Sequence, residues 1–384
     1  MQTVLRSKRV LIGDHIQAAD IVVSNGVIEA ICAHGSQDGG LDFGDKLIAP
    51  GFIDLHSDAV EKEIEPRPGA HFPVDSALVE LDKKLTMAGI TTMFHAVAFN
   101  DAAISGYRAT KIAASVIEKI KKANRTQLGV DNFVHARFEV TSFESVGVIK
   151  ELIQNGSVQM LSVMDHTPGQ GQFKSIETWK KFHLPVYKLS DSEADEIIRQ
   201  KKRGQGRAFA VVEDLLSFGA GHDLVLLSHD DDTPQKINLL KDMGVTISEF
   251  PLDLDVAVYA KQNGIATGMG APNVVRGLSQ SGNVSARVLL TGDACDFLCS
   301  DYHPSSMLQA PYTAHQELGI PIEKCFDLVT RTPAKLAGLD DRGEIAPGKI
   351  ADVIVIEDTD IPKIILTLKE GSAIYNGTGC LCGE

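Results

Sequence analysis

The chain has 384 residues, 43% of them hydrophobic and 23% charged, with a formal net charge of −14. That length suffices for one large domain, or one large and one small, and the acidity argues against non-specific nucleic-acid or membrane binding. No apolar run approaches the roughly 18 residues of a membrane span, and the first ten residues lack the apolar core of a signal peptide, so a cytoplasmic protein is expected.

Residues 1 to 48 read as short strands. Lys8-Arg-Val-Leu-Ile-Gly13, Asp20-Ile-Val-Val23 and Val27-Ile-Glu-Ala-Ile31 are β-branched runs broken by the turn Ser24-Asn-Gly26. The far end has the same texture in Asp352-Val-Ile-Val-Ile-Glu357, Ile364-Ile-Leu-Thr-Leu368 and Ser372-Ala-Ile-Tyr375. Neither end alone has enough strands for a stable unit, so 1–48 and 344–384 are expected to pair into one composite β-sandwich. Cys32, Cys295, Cys299, Cys325, Cys380 and Cys382 are too few and too irregular for a disulfide framework. The Cys380-x-Cys382 tail is open to a metal or redox role and to the plainer reading of a reduced tail.

Between them, 49–343 alternates strand and helix. The expected strands are 51–55, 91–97, 132–140, 158–164, 223–227, 245–249, 264–267 and 296–300. Helical periodicity falls at 75–88, 102–124, 143–154, 191–202, 208–219, 234–243 and 282–291. Eight strands alternating with helices fit a (β/α)8 TIM-like barrel. A long excursion from Pro168 to about Gly206 exceeds one regular unit, as lids and binding loops do.

In such a barrel the C-terminal strand ends face the active-site mouth. The first expected strand, Gly51-Phe-Ile-Asp-Leu55, runs into His56-x-Asp58, whose two side chains share a face. Alone this is as well read as a hydrogen-bonded pair capping a strand. Other strand ends carry Glu139, His166, His229 and Asp301. Three imidazoles and three carboxylates on ends that open the same way suffice for a two-metal site bridged by Glu139. Nitrogen and oxygen donors without thiolate suit Zn²⁺, Mn²⁺ or Fe²⁺, with Zn²⁺ the first expectation. Three carboxylates and one hydroxide would neutralise two divalent ions, whose bound water ionises near pH ~7. Asp301 is the expected catalytic proton acceptor.

With these residues in view, the chain resembles the amidohydrolase superfamily. Thr330-Arg-Thr-Pro-Ala-Lys-Leu-Ala-Gly338 and Gly343-Glu-Ile-Ala-Pro-Gly-Lys-Ile-Ala-Asp-Val353 resemble its return into the sandwich. More narrowly, His56-Ser-Asp-Ala-Val-Glu-Lys-Glu-Ile-Glu-Pro-Arg-Pro-Gly69 resembles the PhnM family. So do Ala136-Arg-Phe-Glu139, Met164-Asp-His-Thr-Pro-Gly-Gln170, Ser228-His-Asp-Asp231, Gly270-Ala-Pro-Asn-Val-Val-Arg-Gly277, Ser281-Gly-Asn283 and Ser300-Asp-Tyr302. Gln280 and His95 depart from that pattern, where histidine and aspartate would be usual.

The resemblance implies a diphosphatase of phosphonate metabolism, acting on α-D-ribose 1-methylphosphonate 5-triphosphate. Metal-bound hydroxide would attack the phosphorus nearest the sugar, and pyrophosphate would leave. So anionic a substrate needs donors, for which Lys62, Arg67, Arg137, Lys188, Asn273, Arg276, Ser279 and Asn283 are candidates; Ser281 is a further one. Arg137 also fits a role beside the donors, and Asp230 and Asp231 fit the orientation of His229. Asp165 reads as structural and Lys201-Lys-Arg203 as a solvated helix end. Two other functions stand against this one, an amidohydrolase or deacetylase acting on a C–N bond and a metal-free, non-catalytic barrel. A homodimer is the expected assembly.

Overall fold

The computed structural model describes residues 2–67, 69–100, 109–123, 128–167, 169, 175–187, 189–279 and 282–378. The N-terminal strands are β1 (Gln2–Ile12), β2 (His15–Ser24), β3 (Val27–Ala33), β4 (Leu41–Asp42) and β5 (Leu47–Pro50). Next come β6 (Phe52–Ser57), β7 (Ile90–Phe99), β8 (Asp131–Glu139) and β9 (Met160–Met164). They are followed by β10 (Val225–His229), β11 (Ile247–Glu249), β12 (Ala266–Gly270) and β13 (Phe297–Cys299). The chain closes with β14 (Val353–Glu357), β15 (Lys363–Lys369) and β16 (Ser372–Asn376).

Two sheets result. One runs β16-β15-β14-β5-β1-β2-β3, with β4 on β1. Here β14 lies antiparallel to β5, in register from Val353 opposite Pro50 to Ile356 opposite Leu47. Both chain ends therefore complete one sheet, and Leu5, Ile21, Ile48, Val353, Val355 and Leu366 share its core. Burying each such side chain is worth about 1.5–3 kcal/mol. The second sheet runs β6 to β13 in sequence order, the (β/α)8 barrel. Its neighbours from β8 to β12 are parallel. All residues of β6, β7 and β9 are buried, as in strands covered on both faces.

The chain divides into two compact units, Met1–Phe94 with Ala123–Asn132 and Phe297–Glu384, and His95–Lys122 with Phe133–Asp296. The first contains the composite sheet and a buried ion network. There Lys369 Nζ lies 2.6 Å from both Asp131 and Asp352, and Arg342 donates to Asp131 and Asp341. In the same unit β13 lies beside β6, joined by a parallel bridge between Ser57 and Asp301.

In the second unit one expectation is corrected. The segments 191–202 and 208–219 form a single helix, Asp191–Ala220. It opens with a capping box, in which Ser190 accepts from the Glu193 N–H while the Glu193 carboxylate accepts from the Ser190 N–H. A further helix, Ile176–Tyr187, lies within the excursion read as loop. Helices also form at Leu254–Gln262, Ala271–Arg276 and Ser306–Leu318, where no helix was expected.

Candidate metal and phosphate site

At three strand ends a non-glycine residue takes a positive φ. These are Asp230 at 53°, Phe250 at 53° and Asp301 at 54°. Each turns the chain out of its strand while its N–H still reaches across the sheet. Asp230 donates to Glu249, Phe250 to Gly268 and Asp301 to His56. Aspartate tolerates this region better than most residues, whereas for phenylalanine it is a strained choice of the kind concentrated at functional sites.

The first unit holds His56, Asp58 and Asp301 together. The Asp58 N–H donates to the Asp301 carbonyl at 2.8 Å, and so does the Ser57 hydroxyl. Beneath them Asp54 accepts from the N–H groups of His56 and Ser300, at 3.3 and 3.0 Å. Asp58 stands at the N-cap of the helix Ala59–Ile64 but makes no side-chain cap hydrogen bond there. Tyr302 follows Asp301, and the Lys62 ammonium lies 4.3 Å from its ring centroid.

The second unit holds Glu139, His166 and His229 at the ends of β8, β9 and β10. His166 lies between two carboxylates, with Nδ1 3.0 Å from Glu139 Oε2 and Nε2 3.5 Å from Asp230 Oδ2. Burial opposes a charge on this imidazole, but the two carboxylates prevail and its pKa is raised. Glu139 is buried more deeply, yet Lys201 and His166 outweigh that and hold its carboxyl well below the usual range. Trp179 is fully buried and donates its indole N–H to the His166 carbonyl at 3.1 Å, which fixes the chain leaving β9.

His229 Nε2 lies 3.2 Å from Arg137 Nη2. Nδ1 of the same ring lies 3.1 Å from Asp230 Oδ2. Asp230 lies against the His229 ring. Asp231 does not, because it accepts from Ser228 and Ser248 and pairs with Lys236. Lys236 also donates to the carbonyls of His229 and Asp230, tying down the turn that carries them.

Lys201 and Glu249 escaped sequence reasoning, while Asp230 was read only as an orienting group. Lys201 is not solvated, because it is buried and its ammonium lies 2.8 Å from Glu139 Oε1. Asp230 is grouped with His166 and His229, one ligand atom from each lying within 4.8 Å of the others. Glu249 ends β11 fully buried, 3.8 Å from His135, and burial pushes its carboxyl pKa up. It was visible as the last residue of an expected strand and was passed over.

The remaining candidates scatter. Arg67 and Arg276 are exposed, while Ser279 and Asn283 are half-buried. Asn273 accepts from the Ala286 N–H at 3.0 Å, a local structural bond. Lys188, Gln280, Ser281, Cys380 and Cys382 lie outside the described residues. His95 is buried on β7. As a donor set, buried imidazoles and carboxylates without thiolate fit a divalent ion such as Zn²⁺, Mn²⁺ or Fe²⁺.

Comparison with known proteins adds to this geometry. Residues 293–375 match the model of the amidohydrolase family. Over 363 residues the chain is 30% identical to the alpha-D-ribose 1-methylphosphonate 5-triphosphate diphosphatase of Escherichia coli (strain K12), covering 93% of this chain and 96% of that protein. Among solved structures it is similar to the dihydropyrimidinase from Brevibacillus agri NCHU1002, with TM-score 0.68 at 12% identity, covering 98% of this chain and 95% of that one. It is also similar to the N-acetyl-D-glucosamine-6-phosphate deacetylase from Mycobacterium smegmatis, with TM-score 0.65 at 13% identity, covering 97% and 100%. At such identities these two structures carry the fold alone.

Proposed function

Because this chain belongs to the amidohydrolase superfamily, in the branch of the α-D-ribose 1-methylphosphonate 5-triphosphate diphosphatases, we propose that it hydrolyses such a ribosyl triphosphate and releases pyrophosphate. The observation that carries this reading is the identity to the Escherichia coli enzyme along nearly the whole chain, with every expected donor present at a strand end. The proposed metal ligands are His56, Asp58, Glu139, His166, His229 and Asp301, and two divalent ions, Zn²⁺ foremost, are the proposed cofactors. Such ions supply an activated water and positive charge against phosphoryl oxygens.

The chain's own residues supply the rest. Asp301 accepts the proton of the water as its oxygen bonds to the phosphorus nearest the ribose. The bond from that phosphorus to the bridging oxygen breaks, and pyrophosphate leaves. Lys62 binds a phosphoryl oxygen, its ammonium oriented by the Tyr302 ring beside Asp301. Arg137 and Asp230 lie against the two nitrogens of His229 and would yield one of them to the ion. Arg67, Lys188, Arg276, Asn273, Ser279 and Asn283 remain proposed substrate contacts.

The test is a pyrophosphate-release assay on α-D-ribose 1-methylphosphonate 5-triphosphate, with metal quantified in the same preparation. Release of pyrophosphate is expected, and Glu139→Ala is expected to lose metal as well as rate. A second reading, hydrolysis of a C–N bond, draws on the match of 293–375 to the amidohydrolase family. Turnover of N-acyl substrates with no phosphoanhydride cleavage would establish that reading instead.

A further inference from the structure

The two oxygens of Glu139 are not equivalent. Oε1 accepts from Lys201 Nζ at 2.8 Å and from the His166 backbone N–H at 3.2 Å. Oε2 faces His166 Nδ1 at 3.0 Å. Lys201 is therefore one of three donors on a single oxygen, the third being the Thr141 hydroxyl at 3.5 Å, and its Nζ also donates to Thr141 Oγ1 at 3.1 Å.

Lys201 does not come from a barrel strand. It comes from the long helix Asp191–Ala220, and the seating of that helix is specific. At Gly204, one turn on, an added Cβ would lie 3.1 Å from the Phe143 ring, so glycine permits the close approach. The Arg207 guanidinium packs over the same ring, 5.0 Å from its centroid. Lys201, Gly204 and Arg207 fall on one helix face, and that face meets the segment Thr141–Phe143 just beyond β8. Burying an ammonium costs several kcal/mol unless good geometry offsets it, so a lysine here is not incidental packing.

We propose that Lys201 is a positioning residue, fixing Glu139 through Oε1 so that Oε2 is presented to a divalent cation shared with His166. The inference rests on the metal-centre reading above and adds to it a residue outside the ligand set. Two effects oppose each other. The ammonium repels a nearby cation, which would make its removal tighten metal binding. It also holds a buried carboxylate that would otherwise keep only the His166 N–H and the long contact from the Thr141 hydroxyl on Oε1, and rotate. Because Lys201 is already paired with Glu139 and bonded to Thr141, the second effect dominates.

The experiment measures Zn²⁺ affinity of the full chain by competition with a chromophoric chelator, with circular dichroism confirming the fold. Lys201→Met keeps the aliphatic stem and removes the ammonium, and it is expected to weaken Zn²⁺ binding about 10- to 100-fold. Lys201→Arg restores a positive donor and is expected to recover most of that loss. Thr141→Val leaves the ammonium one acceptor short and Oε1 without its long third donor, and is expected to shift affinity the same way by less. Unchanged or tighter Zn²⁺ binding in folded Lys201→Met overturns the proposal while leaving the metal centre standing. If Lys201→Met does not fold, Thr141→Val decides, and unaltered affinity there overturns it. A wild-type chain that takes up no Zn²⁺ overturns both the proposal and the metal centre.

Discussion

Asp20 illustrates how a single buried carboxylate is kept ionised in this protein. It is fully buried, accepts two hydrogen bonds from Arg6, and accepts the backbone N–H groups of Gly35 and Gln37. Arg6 chiefly, with those N–H groups, outweighs burial and holds the carboxyl far below the usual range. A depressed folded pKa contributes stability that is complete above the unfolded aspartate value of about 3.9 and is lost as pH falls through the folded value. Asp20→Asn should therefore cost about 2–4 kcal/mol at pH 7, read from the urea midpoint. The gap to wild type should narrow as pH drops below about 4, and a gap of equal size at pH 3 and pH 7 would refute this linkage. At the same scale, the limits of sequence reading have a physical origin. The placement of His56, Asp58, Glu139, His166, His229 and Asp301 at or just past strand ends was legible because the runs before them could be recognised. Lys201 was not, because Lys201-Lys-Arg203 has the composition of a solvated helix end and its partner Glu139 is 62 residues away. Asp230 was read only together with Asp231, because in a run of three aspartates no pattern says which one turns toward the imidazoles.

Gly51 marks the junction between elements, lying between β5 of the composite sheet and β6 of the barrel. A Cβ there would sit 2.4 Å from the Thr91 side chain, so the first barrel strand can pack this closely only on glycine. Its N–H donates to the Asp352 carbonyl at 2.9 Å, beside the network of Lys369, Asp131 and Arg342. Gly51→Ala should destabilise by about 1–3 kcal/mol through overpacking, with part of the loss recovered by adding Thr91→Ala. Thermal melts of the two variants check this, and an unaffected Gly51→Ala would show that the strand has room to shift. All eight barrel strands were legible because they are buried runs of apolar, β-branched residues separated by helical periodicity. The helix Asp191–Ala220 was read as two because Gly204 and Gly206 interrupt it, and isolated helices disfavour glycine by about 1 kcal/mol each. Packing favours glycine at Gly204, where an added Cβ would lie 3.1 Å from the Phe143 ring.

At the scale of the molecule, the barrel sheet and the sheet made from both chain ends define a member of the amidohydrolase superfamily. Its fold is shared with proteins named for quite different substrates, a dihydropyrimidinase and a sugar-phosphate deacetylase among them. Fold therefore decides little about the reaction, and the proposed diphosphatase activity stands on the donors at the strand ends and on the relative from Escherichia coli. The bond broken is the feature that separates this activity from other phosphatase chemistry. Hydrolysis of α-D-ribose 1-methylphosphonate 5-triphosphate in ¹⁸O-labelled water, followed by mass analysis of both products, reads it directly. The account predicts the label in the ribosyl 5-phosphate and none in the pyrophosphate. Label in the pyrophosphate, or release of single phosphate in its place, would contradict attack at the phosphorus nearest the sugar.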